Sequence, residues 1–102
     1  MDKVTRYREA VKSTLAYLLR GGYGKTQKLK NEALYDEQNS RYAVIVTGWD
    51  GPMHVHELVA QMDLVADKVI IRLNTSDVDL AEGLIKYGVD ANDIVDAQTV
   101  DV

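Results

Sequence analysis

Residues 41–56, "RYAVIVTGWDGPMHVH", restrict the fold more than any other stretch of the chain. The β-branched and aromatic run "RYAVIVTGW" predicts a strand over 41–49. Ala43 to Val46 are apolar on both faces, so the strand belongs inside a sheet with a layer covering each side. A Trp-Asp-Gly-Pro corner follows, and then "MHVHELVAQMDL" predicts a second, long strand. In simple alternation one face of that strand carries Met53, Val55, Glu57, Val59 and Gln61, and the other carries His54, His56, Leu58, Ala60 and Met62. A turn centred on Asp50-Gly51 would be closed by the N–H of residue 52, and Pro52 has none. The corner is therefore expected to be a three-residue loop, Trp49-Asp50-Gly51, with Gly51 at positive φ and a bulge beside it.

The flanking segments complete an α+β layout. Val4, Tyr7, Val11, Leu15, Leu18 and Leu19 recur every three or four residues and predict a helix over 3–20. Asp2 is placed to cap it, and Gly21-Gly22 to end it. "GGYGKTQK" at 21–28 reads as a basic loop, and "LKNEALYDEQ" as a strand with Leu29, Ala33 and Tyr35 on one face. Asn39-Ser40 forms a turn. "VADK" turns the chain again before "KVIIRLN", a strand with Val69, Ile71 and Leu73 alternating. "NTSD" opens a second helix. Thr75 or Ser76 is its expected cap, Asp77 and Asp79 lie in its first turn, and Val78, Ala81, Leu84 and Ile85 form its stripe. Gly88 stops it, and a short strand is expected from Ile94. Strands joined by tight turns give an antiparallel meander, with an N-terminal and a C-terminal helix packed on it.

The chain has 102 residues, the size of one domain, so residues 1–102 are read as a single unit. There is no cysteine, which removes disulfides and thiolate zinc sites. "MDKVTRYREA" has no apolar core segment, and no apolar run reaches membrane-spanning length, so a cytoplasmic protein without membrane contact is expected. The net charge is −4, but it is unevenly distributed. Residues 1–30 hold eight Lys/Arg and two acids, while residues 31–102 hold four Lys/Arg and fourteen acids. Two parts of opposite sign are expected chiefly to attract each other. A basic face for a polyanion is the alternative. A small domain must also pair or cover its edge strands, which points to a homodimer.

The motifs that suggest chemistry each lack a required part. Gly24-Lys25-Thr26 matches the end of a phosphate loop, but the required first glycine position is Leu19. A helix enters where a strand should, so no helix N-terminus is aimed at an anion. His54 and His56 share a strand face and could share a metal. A zinc site needs three or four ligands, however, and Asp63 falls on the opposite face by alternation. No serine lies in a nucleophile elbow, and no acidic pair stands out as an acid–base couple. No catalytic residue, metal or cofactor is expected. Trp49, the sole tryptophan, either folds over the sheet against the helix layer or stands out as a contact.

Several segments together carry a family likeness. "ALYDEQNSRYAVIVTGWDG", the histidine-bearing strand, "DKVIIRLN" and "LAEGLIKYGVDANDIV" resemble the fdxN element excision controlling factor family, the XisI-like proteins. The chain opens with "MDK" on a tyrosine-bearing helix, as that family does; the Gly48-Trp49-Asp50-Gly51 corner and the Asn92-Asp93-Ile94-Val95 segment are the most specific matches, and the likeness covers most of residues 1–95. The chain departs from the family in Pro52-Met53 after the corner, in Val69-Ile70-Ile71 where a tryptophan is usual, and in its short acidic end. The resemblance implies an accessory role in site-specific DNA excision in cyanobacteria, with a separate recombinase cutting and joining. It implies an XisH-like partner of endonuclease fold and supplies no catalytic residues. On this reading Trp49, His54 and His56 are candidate partner contacts. The alternative is direct DNA binding, with Arg6, Arg8, Lys25, Lys28 and Lys30 on phosphates.

Overall fold

A computed structural model describes residues 2–21 and 29–99. Helix α1 spans Lys3–Gly21. Asp2 caps it as expected, its Oδ1 accepting from the Thr5 N–H at 2.7 Å. Tyr7, Val11, Leu15 and Leu18 bury the predicted stripe, widened by Ala10 and Thr14, whereas Val4 is exposed. Four strands follow as an antiparallel meander: β1 (Leu29–Asp36), β2 (Arg41–Asp50), β3 (Met53–Val65) and β4 (Lys68–Asn74). Helix α2 (Leu80–Lys86) then crosses back, and β5 (Ile94–Asp96) joins β4. The crossover returns the chain in the direction of β4, so β5 is parallel and the sheet is mixed at this edge. The strand order is β1-β2-β3-β4-β5.

Both helices lie on one face. Tyr7, Val11 and Leu15 of α1 and Leu80 and Leu84 of α2 share one core with Tyr42, Val44, Val46, Met62, Val69 and Ile71. The expected second covering layer is absent among the described residues. Ala43 and Ile45, on the opposite face of β2, line a groove there with side chains of the neighbouring strands.

A bulge decides which residues of β3 face the helices. Val44 pairs with Ala60 and Ile45 with Leu58, leaving Val59 as the extra residue. Val59 and Ala60 both turn into the core, so the alternation changes phase there. His54, His56 and Leu58 therefore share their face with Gln61 and Asp63, and not with Ala60 and Met62 as simple alternation predicts. The Val59 carbonyl accepts from the Thr75 N–H at 2.8 Å and from the Thr75 hydroxyl at 2.9 Å. This interaction engages Thr75 away from α2. Asn74 closes the next turn through its bonds to Ser76 and Val78. The cap of α2 is consequently Asp79, which accepts from the Glu82 N–H, and the helix starts later than predicted. Val78 precedes it, and Gly88 ends it at φ 107.

The corner also differs from expectation. Asp50 pairs with Met53, so the loop is two residues, Gly51-Pro52. Gly51 has the predicted positive φ, 59. Met53, and not Pro52, stands opposite the strand end, so the missing proline N–H falls at a loop position where the ladder does not need it. The bulges lie inside the strands, at Val59 and near Arg72, and not at this corner.

Candidate functional site

The β2–β3 corner places three ring-bearing side chains in a row on the open face. Trp49 pairs across the strands with His54, and Thr47 with His56. The Trp49 and His54 ring centroids are 5.0 Å apart at 57°. The two histidine rings lie 6.4 Å apart and are nearly parallel, at 17°. Trp49 is 52% exposed, which excludes packing against the helix layer.

Beside this row the face is apolar. Leu34 is 57% exposed and Leu58 42%. With Ala43, Ile45 and His56 they line a shallow groove of about 510 Å³. Its far end is polar. Gln61 lines it there and donates at 3.1 Å to Asp63 of the same face, which is almost fully buried and also accepts from Arg72 Nε at 2.9 Å. Asp63 thus shares a face with the histidines, contrary to simple alternation. It is nevertheless held by Arg72 and Gln61, and no group of three His, Asp or Glu side chains suited to a metal occurs among the described residues. The arrangement suits burial against a complementary surface, with an aromatic end, an apolar middle and a charged end.

The described basic residues of the N-terminal segment are not brought together. Arg6 is exposed on α1 beside the Tyr7 ring. Arg8 donates to the Tyr42 hydroxyl at 2.9 Å. Lys30 lies on the open side of β1 and pairs with Glu32 at 3.5 Å. Lys25 and Lys28 lie outside the described residues. Lys3 and Lys12, from the same segment, pair with Asp93 and Glu37 of the acidic part. The unequal charge distribution therefore acts partly within the fold.

Sequence reasoning missed Asp93, which among the described residues gathers three side-chain donors. The residue is 6% exposed. It accepts from the Tyr7 hydroxyl at 2.6 Å, from Lys3 at 2.8 Å and from Lys68 at 2.9 Å. These donors, Lys3 foremost and then Tyr7 and Lys68, hold it well below the usual carboxylate range. The Tyr7 oxygen in turn accepts from the Asp90 N–H at 3.1 Å. The cluster is a structural clasp, in which the "MDK"-plus-tyrosine opening grips the Asn-Asp-Ile-Val segment. Co-occurrence of those two short motifs was the available signal.

The XisI protein family model matches residues 1–100. A crystal structure of a XisI-like protein from Anabaena variabilis superposes with a TM-score of 0.85 at 25% identity, covering 95% of this chain and 88% of that one. The fdxN element excision controlling factor XisI of Anabaena variabilis superposes with a TM-score of 0.80 at 19% identity, covering 98% and 95% of the two chains. No curated protein matches the sequence at a significant level.

Proposed function

The chain belongs to the XisI protein family, and from that premise we propose that it is a non-catalytic control protein in the excision of a DNA element, acting by docking a nuclease-like partner of XisH-like fold on the open face of its sheet. The observation that carries this reading is the sheet face that no described element covers. Leu34 and Leu58 stand half-exposed at one groove, and Trp49 stands half-exposed at the corner beside it, while the helices occupy the other side. An aromatic side chain at the end of an apolar patch is the kind of anchor on which protein interfaces concentrate their energy. A fold shared with an excision controlling factor supports the role in excision.

Direct DNA binding through Arg6, Arg8, Lys25, Lys28 and Lys30 ranks below it, because Arg8 and Lys30 already have partners within the chain. The test is co-expression with an XisH-like protein, with complex mass measured by light scattering after size exclusion. A co-eluting complex that is lost in the Trp49→Ala, Leu58→Glu double variant is the expected result. Two proteins eluting separately would remove the proposal.

A further inference from the structure

One edge of the sheet is long and the other short. Among the described residues β1 pairs with β2 alone, so eight residues present an unpaired backbone edge, whereas β5 contributes three. A long edge strand without proline is a template for another strand. Its sequence, "LKNEALYD", also has a two-fold charge pattern about Ala33. If two copies run antiparallel with Ala33 opposite Ala33, Lys30 of each faces Asp36 of the other. Glu32 then faces Leu34, and Asn31 faces Tyr35. No like charges are opposed, and the smallest side chain lies on the axis. Shifting the register by two residues in either direction pairs Glu32 with Glu32 or with Asp36, which like-charge repulsion disfavours.

We propose that β1 is the homodimer strand, joining two copies about a two-fold axis at Ala33 into one continuous ten-stranded sheet. Lys30 stands on the open side beside its own Glu32, and in the dimer it lies between that carboxylate and the partner's Asp36. Asp36 already accepts from the Asn39 N–H and side-chain amide, and a carboxylate keeps further lone pairs for an ammonium. Leu34 of each copy lies diagonal to its counterpart, within the reach of same-face neighbours at about 7–8 Å. The two apolar grooves then adjoin across the axis. The dimer needs no other protein, so its test is independent of the nuclease-partner reading.

The native chain has no cysteine, which makes a single introduced thiol an unambiguous probe. Full-length Ala33→Cys protein should form a covalent dimer with a short bis-maleimide, and the same thiol at exposed position 85 on α2 should not. By sedimentation equilibrium, Lys30→Glu should raise the dimer dissociation constant about tenfold or more by placing like charges opposite. Adding Asp36→Lys should restore it, which a mere folding defect would not allow. A wild-type monomer at about 100 µM, where even a weak dimer with a dissociation constant of about 200 µM would be seen, would overturn the proposal. A dimer that neither cross-links at position 33 nor responds to Lys30→Glu would also overturn it.

Discussion

Tyr7 and Asp93 are 86 residues apart in sequence and 2.6 Å apart in the fold, the tyrosine hydroxyl donating to the carboxylate. Tyr7 is fully buried, and its oxygen also receives the Asp90 N–H. Tyr7→Phe keeps the ring but leaves that N–H without its acceptor. A loss of about 1.5–3 kcal/mol in denaturant unfolding is expected, the range for losing a hydrogen bond to a charged group, here the buried Asp93 carboxylate.

The same clasp sets an acid limb of stability. Asp93 titrates lower in the folded chain than its ordinary value, through Lys3, Tyr7 and Lys68. The unfolded chain therefore binds the proton more readily in the acid range, and stability rises with pH there. The contribution is complete above the unfolded value of about 3.9 and is lost as the pH falls from there toward the folded value. Thermal melts between pH 5 and 2 should fall more steeply for the native chain than for Asp93→Asn, which has no such carboxylate to protonate.

Gly83 illustrates packing overriding propensity. A methyl group added there would approach the Thr14 side-chain methyl at 2.9 Å. Thr14 is buried and its hydroxyl is bonded to the Ala10 carbonyl, so it has little freedom to give way. Gly→Ala within a helix ordinarily gains up to about 1 kcal/mol. Here Gly83→Ala should instead destabilise by about 1–3 kcal/mol, the usual penalty of overpacking. Thr14→Ala in the same chain should recover part of it, measured by the shift in chemical-denaturation midpoint.

The β3–β4 turn carries a removable strain. Ala66 lies at φ 56 between the paired residues Val65 and Lys68. Left-handed backbone costs an L-residue roughly 1 kcal/mol, which glycine avoids. Ala66→Gly is expected to be neutral or stabilising by up to about 1 kcal/mol, after the larger unfolded-state entropy of glycine is subtracted. A drop of more than about 1 kcal/mol in this variant would contradict the turn geometry.

Trp49 supplies its own assay, since it is the only tryptophan and is 52% exposed. The free protein should emit at long wavelength, near that of a solvated indole, and lie open to acrylamide quenching. Docking of a partner on the open face should shift the emission to the blue and protect it. Trp49→Ala should leave the melting temperature nearly unchanged while weakening partner binding by about 2 kcal/mol or more, as expected of an aromatic anchor.

Much of the architecture was legible locally. The three–four spacing from Tyr7 to Leu18, the Asp2 cap and the dense apolar run of β2 all survive in the fold, because each depends on neighbours in sequence. Face assignments on β3 were legible as far as Val59. From Ala60 on, the extra residue at Val59 reverses the phase, and Thr75 takes its carbonyl across 16 residues. The candidate contact row was partly legible. Trp49, His54 and His56 do share a face, yet its exposure depended on both helices choosing the other side.

The sequence by itself determined the elements, their order and the class of the fold, since periodicity, capping and turn chemistry act over a few residues. It also marked the corner and the two short motifs that later proved to be the ends of one clasp. Only the tertiary structure decided which sheet face stays open, where the bulge lies and that Asp93 receives Tyr7, Lys3 and Lys68. Those outcomes depend on contacts between distant segments, where burial of one apolar face and satisfaction of one carboxylate are settled by the whole chain at once.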